Sequence, residues 1–118
     1  MTIPKEIHGQ KYISLTTLRK NGEAVKTPVW FAEHDGKLYV KTRSDSGKYK
    51  RIRNNPQVGV AACTVGGKII GSEFSATARV LPAEDWQEPQ NALHRKYWLS
   101  RLPFWSKKNV FVEIAVAS

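Results

Sequence analysis

The residues best suited to chemistry lie in one short basic segment, SDSGKYKRIRNNP, which spans Ser44–Pro56. If a helix begins in this segment, its N-terminus presents backbone N–H groups without intrahelical partners and a positive dipole. Gly47 would permit a ligand to approach closely, while Ser46 and Lys48 would add a hydroxyl and a positive charge. These are the components of a phosphate-binding site. The alternative is a solvated basic helix whose charges only confer solubility.

The residue types at both ends of this segment predict such a helix. Serine and aspartate at positions 44–46 are preferred N-cap residues. Tyr49 and Ile52 are three residues apart, as on a buried helical stripe, and the asparagines before Pro56 end the element. A short helix that follows a strand is therefore expected here.

Other reactive residue types form no recognisable catalytic or metal-binding pattern. The histidines, His8, His34 and His94, are scattered without metal-ligand spacing. Cys63 lies in an apolar stretch and is predicted to be a small core residue rather than a nucleophile. The acidic pair at 84–85 is typical of the start of a helix. We therefore expect no metal site, and we find no convincing acid-base pair.

The composition fits one globular domain over residues 1–118. The chain is 41% hydrophobic, and a domain of this size buries roughly 60 to 70% of its unfolded surface. The chain contains 19 Lys and Arg residues and 10 Asp and Glu residues, so its net charge is +9. An anionic partner is expected, and nucleic acid, a membrane surface and phosphorylated small molecules all qualify.

The sequence favours the cytoplasm. Cys63 is the only cysteine, so no intramolecular disulfide can form. The N-terminal stretch MTIPKEIHGQK lacks the apolar run of a signal peptide, and no apolar stretch is long enough to span a bilayer. We therefore expect no association with a membrane.

Alternating and apolar runs predict six strands joined by turns that contain glycine. Gly22, Gly36 and the pair at 66–67 mark the turns, and Gly71 is expected to mark a bulge. The predicted strands are KYISLTTL at 11–18, VKTPVWFAE at 25–33, KLYVKT at 37–42, VGVAACTV at 58–65, KIIGSEFSATARVL at 68–81 and NVFVEIAVA at 109–117.

A longer helix is predicted before the last strand, in PAEDWQEPQNALHRKYWL at 82–99. The segment begins with Pro, Glu and Asp as first turns do, and Leu93 and Tyr97 are one helical turn apart. Pro89 is expected to split or kink this helix. Six mostly antiparallel strands with one short and one longer helix fit a small closed barrel better than a sandwich with open edges. The expected fold class is therefore mainly β.

The run Tyr12–Cys63 resembles the flavin and deazaflavin oxidoreductases of the split β-barrel superfamily, whose founding enzyme is pyridoxamine 5'-phosphate oxidase. It carries Thr-Pro-Val-Trp on a strand, then Asp-Gly, then a threonine that ends the next strand, then Ser-Gly-Lys and Asn-Asn-Pro. The likeness continues through SATARV and HRKYWL and covers most of the chain. It is strongest with the small F420-dependent class. The resemblance implies a six-stranded antiparallel split β-barrel that binds its cofactor within a single domain.

The resemblance also implies which residues meet the ring of the cofactor. Thr27, Pro28, Val29 and Trp30 match the strand that runs along the isoalloxazine or deazaflavin ring. Family members are typically homodimers with the cofactor between the subunits. Residues near Lys96, Tyr97 and Trp98 would then close the site from the other chain.

A second group of residues matches the phosphate site of the family. Thr42, Ser46 and Lys48 match the residues that hold the cofactor phosphate, and Gly47 lies between the last two. Arg51 is a further candidate, with Lys50 and Arg53, but helical spacing prevents all three from facing one phosphate.

One departure from the family pattern favours coenzyme F420 over FMN, and a second argues against pyridoxamine-phosphate oxidase activity. In FMN-using oxidases the serine is generally followed by Arg-Lys, whereas Gly47 stands in place of that arginine. The oxidases also carry a C-terminal extension that binds pyridoxal phosphate, whereas this sequence ends at Ser118. The resemblance thus implies an oxidoreductase that transfers a hydride between coenzyme F420 and a small organic substrate, with FMN as the alternative cofactor.

Two other classes of protein stay open. A nucleic-acid-binding barrel would stack bases on aromatic residues such as Tyr12, Trp30 and Tyr39. The basic residues concentrate instead on one predicted helix, so we do not expect a nucleic acid partner. A protein that binds flavin or haem without turnover would use the same pocket as the enzyme, and the sequence does not separate the two.

Overall fold

The computed structural model of the chain describes residues 3–96, apart from the side chain of His94, and residues 109–117. The described residues form seven strands, two α-helices and one 3-10 turn. The elements are β1 (Tyr12–Leu18), β2 (Ala24–Trp30), β3 (Ala32–His34), β4 (Lys37–Arg43), α1 (Gly47–Asn54), β5 (Gln57–Ala62), β6 (Phe74–Val80), the 3-10 turn (Ala83–Asp85), α2 (Gln87–Lys96) and β7 (Asn109–Val116).

The strands form one antiparallel sheet in the order β2-β1-β5-β6-β7-β4-β3. The two edge strands, β2 and β3, are joined by the single residue Phe31. A sheet whose edges are consecutive in the chain has to curl until those edges approach each other. The result is a curled half-barrel, in which Cα atoms of β2 and β4 come within 8 Å.

The predicted fold class is confirmed, but the number of strands differs from the predicted six. The run at 25–33 is two strands, because the chain changes its pairing partner at Phe31. Residues before Phe31 pair with β1, and residues after it pair with β4. Phe31 is fully buried at this corner. An apolar run gives no local signal for such a change of partner.

The strands on either side of the 66–67 turn are also shorter than predicted. β5 ends at Ala62, and β6 begins at Phe74. Gly71 therefore lies outside β6, between the Val60–Phe74 pair and the isolated Cys63–Ile69 bridge, where the ladder is interrupted. Its missing side chain leaves room for Glu6, because a Cβ there would lie 2.9 Å from Glu6 Oε2. The same carboxylate accepts a hydrogen bond from Ser72 N at 2.8 Å.

The inner face of the half-barrel holds the main core. On β6 the residues that point inward alternate with exposed ones, as the sequence pattern predicts. Fourteen residues make up this buried cluster, namely Ile7, Ile13, Leu15, Phe31, Leu38, Val40, Ile52, Val58, Val60, Ala76, Ala78, Val112, Ile114 and Val116.

The second helix covers part of the outer face. Leu93 of α2 packs with Phe111 and Tyr39 in a second buried cluster, as its helical spacing predicts. Pro89 does not split the helix, because it is the third residue of α2, where a backbone N–H has no intrahelical partner. The break lies earlier, at Trp86, whose Nε1 donates to the carbonyl of Leu81 at 2.9 Å. The other residue of the predicted stripe, Tyr97, lies outside the described residues.

Candidate phosphate-binding site

The N-terminus of α1 has the cap that the sequence predicts. Ser46 is the N-cap, and its Oγ accepts a hydrogen bond from Tyr49 N at 3.2 Å. Thr42 Oγ1, at the end of β4, lies 3.1 Å from Ser46 Oγ. Tyr49 N is therefore satisfied by the cap, whereas the N–H groups of Gly47 and Lys48 are first-turn donors with no partner inside the helix.

The barrel fixes the position of α1. Ile52 is only 3% exposed and belongs to the inner core, and α1 contacts β1, β4 and β6. A helix held in this way by three strands presents its first turn in a fixed orientation. Asn55 N donates to the carbonyl of Arg51 at 2.8 Å and closes the other end of the helix.

Lys48 lies in the first turn of α1 and is half-buried. Partial burial of the ammonium lowers its pKa, and repulsion from the nearby Arg51 guanidinium lowers that pKa further. The direction of the shift indicates a positive charge that lacks full compensation by solvent or by a neighbouring carboxylate.

Arg51 lies in the second turn and leans back over the first turn. Its Nε donates a hydrogen bond to Thr17 Oγ1 at 2.6 Å, and Thr17 is fully buried on β1. The guanidinium also occupies the space beside Gly47, because a Cβ on that residue would lie 2.6 Å from Arg51 Nη1. Helical side chains point toward the N-terminus, so a residue four positions later reaches this space.

The other basic residues of the segment point elsewhere. Arg53 Nη1 donates to Tyr49 Oη at 3.1 Å and its guanidinium lies 5.7 Å from the centre of that ring. Lys50 is exposed. Just before the helix, Arg43 makes two hydrogen bonds to Asp45 at 3.0 and 2.9 Å. Of the three further candidates at positions 50, 51 and 53, only Arg51 therefore reaches the start of the helix.

Neither Lys48 nor Arg51 forms an ion pair with a carboxylate of residues 3–96 or 109–117. The first turn of α1 also contains no acidic residue. Two cations thus converge beside free helix N–H groups and two hydroxyls. This arrangement can bind an anion with several oxygens, and a phosphate is such an anion.

The candidates on β2 form a separate group at the edge of the sheet. Val29 packs against the inner core, Trp30 packs against the outer cluster, Pro28 is exposed and Thr27 is half-buried. Because Pro28 has no N–H, an edge strand is where it is tolerated. The structure brings together Thr42, Ser46, Gly47, Lys48 and Arg51. Thr27–Trp30 lie on the edge strand β2 of the same curled sheet, where β1 separates them from β5.

Sequence reasoning missed Thr17. Its hydroxyl positions Arg51, but the two residues are 34 positions apart in the chain. In the sequence Thr17 is only one member of an alternating strand. No local signal could have shown that its hydroxyl meets an arginine of α1.

Lys96 lies at the end of α2. It belongs to the group of residues that the resemblance predicts to close the cofactor site from a second chain. Its Nζ lies 3.5 Å from the centre of the Phe31 ring. Burial lowers its pKa to about 8, and the charge of Glu33 opposes that shift. The other members, Tyr97 and Trp98, lie outside the described residues.

The remaining reactive side chains have structural contacts. His8 Nδ1 lies 2.6 Å from Glu33 Oε1, and His34 Nε2 lies 3.6 Å from Glu88 Oε2. Cys63 is buried, which raises the pKa of its thiol, so the prediction of a core residue is confirmed. In the described part of the chain, no three His, Cys, Asp or Glu residues are grouped so that they could hold a metal ion.

A cavity of about 310 Å³ lies at the C-terminal end of α1, away from the candidate residues, and is lined by Leu18, Arg19, Lys20, Asn54 and Asn55. No helix within the described ranges combines the length and apolarity needed to cross a membrane.

The family model of pyridoxamine 5'-phosphate oxidase matches residues 2–118 of the chain. No curated protein gives a significant match. Among solved structures, the chain is similar to the heme storage protein from Vibrio cholerae, with 15% identity, a TM-score of 0.72, and coverage of 93% of this chain and 84% of that one. A conserved hypothetical protein from Mycobacterium tuberculosis has 18% identity, a TM-score of 0.72, and coverage of 100% and 87%.

A heme binding protein from Mycobacterium smegmatis is also similar, with 10% identity, a TM-score of 0.73, and coverage of 98% of this chain and 53% of that one. At these identities the likeness concerns the fold alone.

Proposed function

The chain belongs to the pyridoxamine 5'-phosphate oxidase family, and we propose on that basis that it binds a flavin-type cofactor by its phosphate and acts as an oxidoreductase on a small organic substrate. The observation that carries the proposal is the convergence of Lys48 and Arg51 on the N-terminus of α1, without a carboxylate partner among the described residues. The two partly buried cations repel each other, and a bound anion would relieve that repulsion.

The donor groups at this site fit a phosphate. The N–H groups of Gly47 and Lys48 point along the helix axis, and the ammonium and guanidinium add charge-assisted hydrogen bonds. Thr42 supports the site through Ser46, because the two hydroxyl oxygens lie 3.1 Å apart. Ser46 in turn holds the first turn of the helix in place.

The rest of the cofactor would extend from this site along β2. Residues Thr27–Trp30 would then offer backbone groups and side chains to the ring. When bound, a flavin or deazaflavin supplies hydride transfer, and the protein binds it, orients the substrate and excludes water. No acid-base pair of this chain is required for that chemistry.

Coenzyme F420 and FMN are the two candidate cofactors. The Ser46-Gly47-Lys48 order is the reason for considering F420 first, because an arginine is absent at position 47. FMN is the alternative.

A second candidate function is haem or flavin binding without turnover. It is supported by the similarity of the fold to proteins described as heme storage and heme binding proteins. A binding protein would take up its ligand but would not oxidise or reduce a substrate.

The proposal is tested by titrating the cofactor-free protein with FMN and with coenzyme F420 side by side, at two salt concentrations, and following fluorescence quenching. Turnover is then measured with the bound cofactor in its reduced form and a panel of small acceptors. Saturable binding of either cofactor followed by turnover supports the oxidoreductase. Binding without turnover supports the second candidate, and binding of neither cofactor would overturn the phosphate site.

The homodimer and the cytoplasmic location remain proposals. A homodimer with the cofactor at its interface would place β2 and the end of α2 close to a second chain. Analytical ultracentrifugation with and without cofactor would measure the oligomeric state directly.

A further inference from the structure

Arg51 has a defined position, because one end of its guanidinium is hydrogen-bonded to a buried side chain. Nε donates to the fully buried hydroxyl oxygen of Thr17 at 2.6 Å. On the other side, Nη1 lies above the first turn of α1, in the space that a Cβ on Gly47 would fill. A guanidinium that is fixed by a buried hydrogen bond loses less conformational entropy when it binds a ligand.

Gly47 makes this position of Arg51 accessible. The residue starts α1 and has no positive φ, so its backbone conformation does not require glycine. A side chain would instead collide with the guanidinium at 2.6 Å. The glycine therefore keeps open the space that Arg51 occupies.

Two cations therefore lie close enough beside the first turn of α1 to repel each other. Lys48 is half-buried, and Asp45, the nearest acidic residue in sequence, makes two hydrogen bonds to Arg43. A single negative charge would compensate only part of this pair. A phosphate monoester carries about −1.5 to −2 charges near pH 7 and has three terminal oxygens, so it matches two cations and the adjacent N–H groups more fully than a phosphodiester, which carries one charge on two such oxygens.

We propose that Arg51, positioned by Thr17, supplies a second positive charge to the phosphate site and makes the site selective for a phosphate monoester over a phosphodiester. This inference rests on the proposed function of the site. It favours FMN, whose phosphate is a monoester, over coenzyme F420, whose phosphate is a diester. In this assignment Arg51 is a binding residue, and Thr17 is a positioning residue that acts through it.

The first test uses the wild-type protein and three ligands with the same ring: riboflavin, FMN and FMN whose phosphate carries one methyl ester. Affinity is measured by fluorescence quenching from pH 5 to pH 7.5. We expect FMN to bind roughly tenfold or more tightly than its methyl ester at pH 7.5. That preference should shrink toward pH 5, because the second pKa of a phosphate monoester is about 6.

The second test uses variants. Arg51→Gln is expected to weaken FMN binding roughly 10- to 100-fold and to abolish both the preference for FMN over the methyl ester and its pH dependence. Thr17→Val keeps the shape of the side chain but removes the acceptor, and it should reduce the same preference by a smaller factor. Arg53→Gln removes a charge from the same helix, away from the site, and should leave the preference unchanged. Melting temperatures of the cofactor-free variants show whether each one is folded.

The outcomes separate this inference from the proposed function. If FMN, its methyl ester and riboflavin bind equally in the wild type, there is no phosphate site, and both proposals fail. If FMN and the methyl ester bind equally but more tightly than riboflavin, the phosphate site stands and the monoester selectivity is overturned. An undiminished preference in folded Arg51→Gln would overturn the role of Arg51. The wild-type comparison decides the selectivity even if a variant does not fold.

Discussion

The candidate site depends on two cations beside the first turn of α1, and each is positioned by a different part of the structure. Lys48 is carried by the first turn of α1, while Arg51 comes from the second turn and is steered by Thr17. Their mutual repulsion lowers the pKa of Lys48 in addition to the effect of burial. The site therefore holds unfavourable electrostatic energy that a bound anion would relieve.

Removing the Lys48 ammonium should weaken ligand binding much more than folding. We expect Lys48→Ala to weaken cofactor binding by roughly 1.5 to 3 kcal/mol, the range for a charge-assisted hydrogen bond. The melting temperature of the cofactor-free protein should change little. Lys50→Ala, at an exposed position of the same helix, is the matched control in the same quenching titration. An equal loss of binding in both variants would indicate only a general effect of positive charge.

Adding a methyl group at Gly47 should weaken FMN binding without destabilising the fold. Alanine is favoured over glycine in a helix by up to about 1 kcal/mol, so Gly47→Ala should not destabilise the fold. Its Cβ would displace the Arg51 guanidinium from the space beside the helix start and should weaken FMN binding. Gly66→Ala is a suitable control, because a Cβ there meets nothing closer than 3.9 Å. Chemical denaturation and FMN titration measure the two effects, and unchanged FMN affinity would contradict this role of Gly47.

Local sequence was sufficient to predict part of the site. The cap at Ser46 and the charge at Lys48 follow from residue types within a few positions of one another. The residue type at 47 does not by itself decide whether a guanidinium lies here, because Arg51 reaches this space from the next turn. That arrangement depends on Thr17, 34 residues earlier in the chain, and no local pattern encodes it.

At the scale of the elements, the packing of α2 is coupled to the protonation of Lys96. The ammonium lies over the buried Phe31 ring near Glu33. Because burial disfavours the charged form, the pKa of Lys96 falls from 10.5 to about 8. Docking of α2 against the β2–β3 corner is therefore expected to depend on pH.

The sign of that dependence follows from proton binding. As the pH rises from about 8 towards 10, folded Lys96 loses its proton, whereas the unfolded chain keeps the proton because its pKa is 10.5. The unfolded state then binds more protons, so this residue makes the free energy of unfolding rise with pH in that window. Lys96→Met should remove this rise, whereas Lys50→Met should not. Urea denaturation at several pH values measures the slopes, and parallel curves for wild type and Lys96→Met would contradict the prediction.

The elements themselves were predictable to different degrees. Alternation identified β1, β6 and β7, and capping residues identified α1, because these signals are local. The corner at Phe31 was not predictable, because each half of an apolar run fits a strand and only the partner changes. Whether Pro89 breaks the helix depends on where α2 begins. Sequence patterns locate the first residue of a helix only to within a few positions.

At the scale of the whole molecule, the curled sheet explains how distant segments form one site. The edges β2 and β3 are adjacent in the chain, so the sheet closes on itself and α1 packs across three of its strands. Closure of the sheet depends on which strands pair over long distances in the sequence. The predicted antiparallel barrel therefore described the general form of the fold but not its strand order.

The net charge of +9 does not by itself imply binding to nucleic acid. Tyr39, one of the aromatic residues considered for base stacking, is 6% exposed, and Trp30 packs against the outer cluster. We expect FMN affinity to fall modestly between 50 and 200 mM salt, whereas a protein that contacts 6 to 10 phosphates of DNA loses about 10³ to 10⁵ in affinity. Titrations with FMN and with a single-stranded RNA at both salt concentrations test this. Tight RNA binding with a steep salt dependence would contradict it.

The most direct test of the central claim, that α1 binds the phosphate of a flavin-type cofactor, is the affinity of the wild-type protein for FMN relative to riboflavin, which has the same ring but no phosphate. If Lys48, Arg51 and the first turn of α1 bind the phosphate, FMN should bind at least about tenfold more tightly. Inorganic phosphate added in excess should compete with FMN but not with riboflavin. Equal affinities for the two ligands, unaffected by phosphate, would contradict the account.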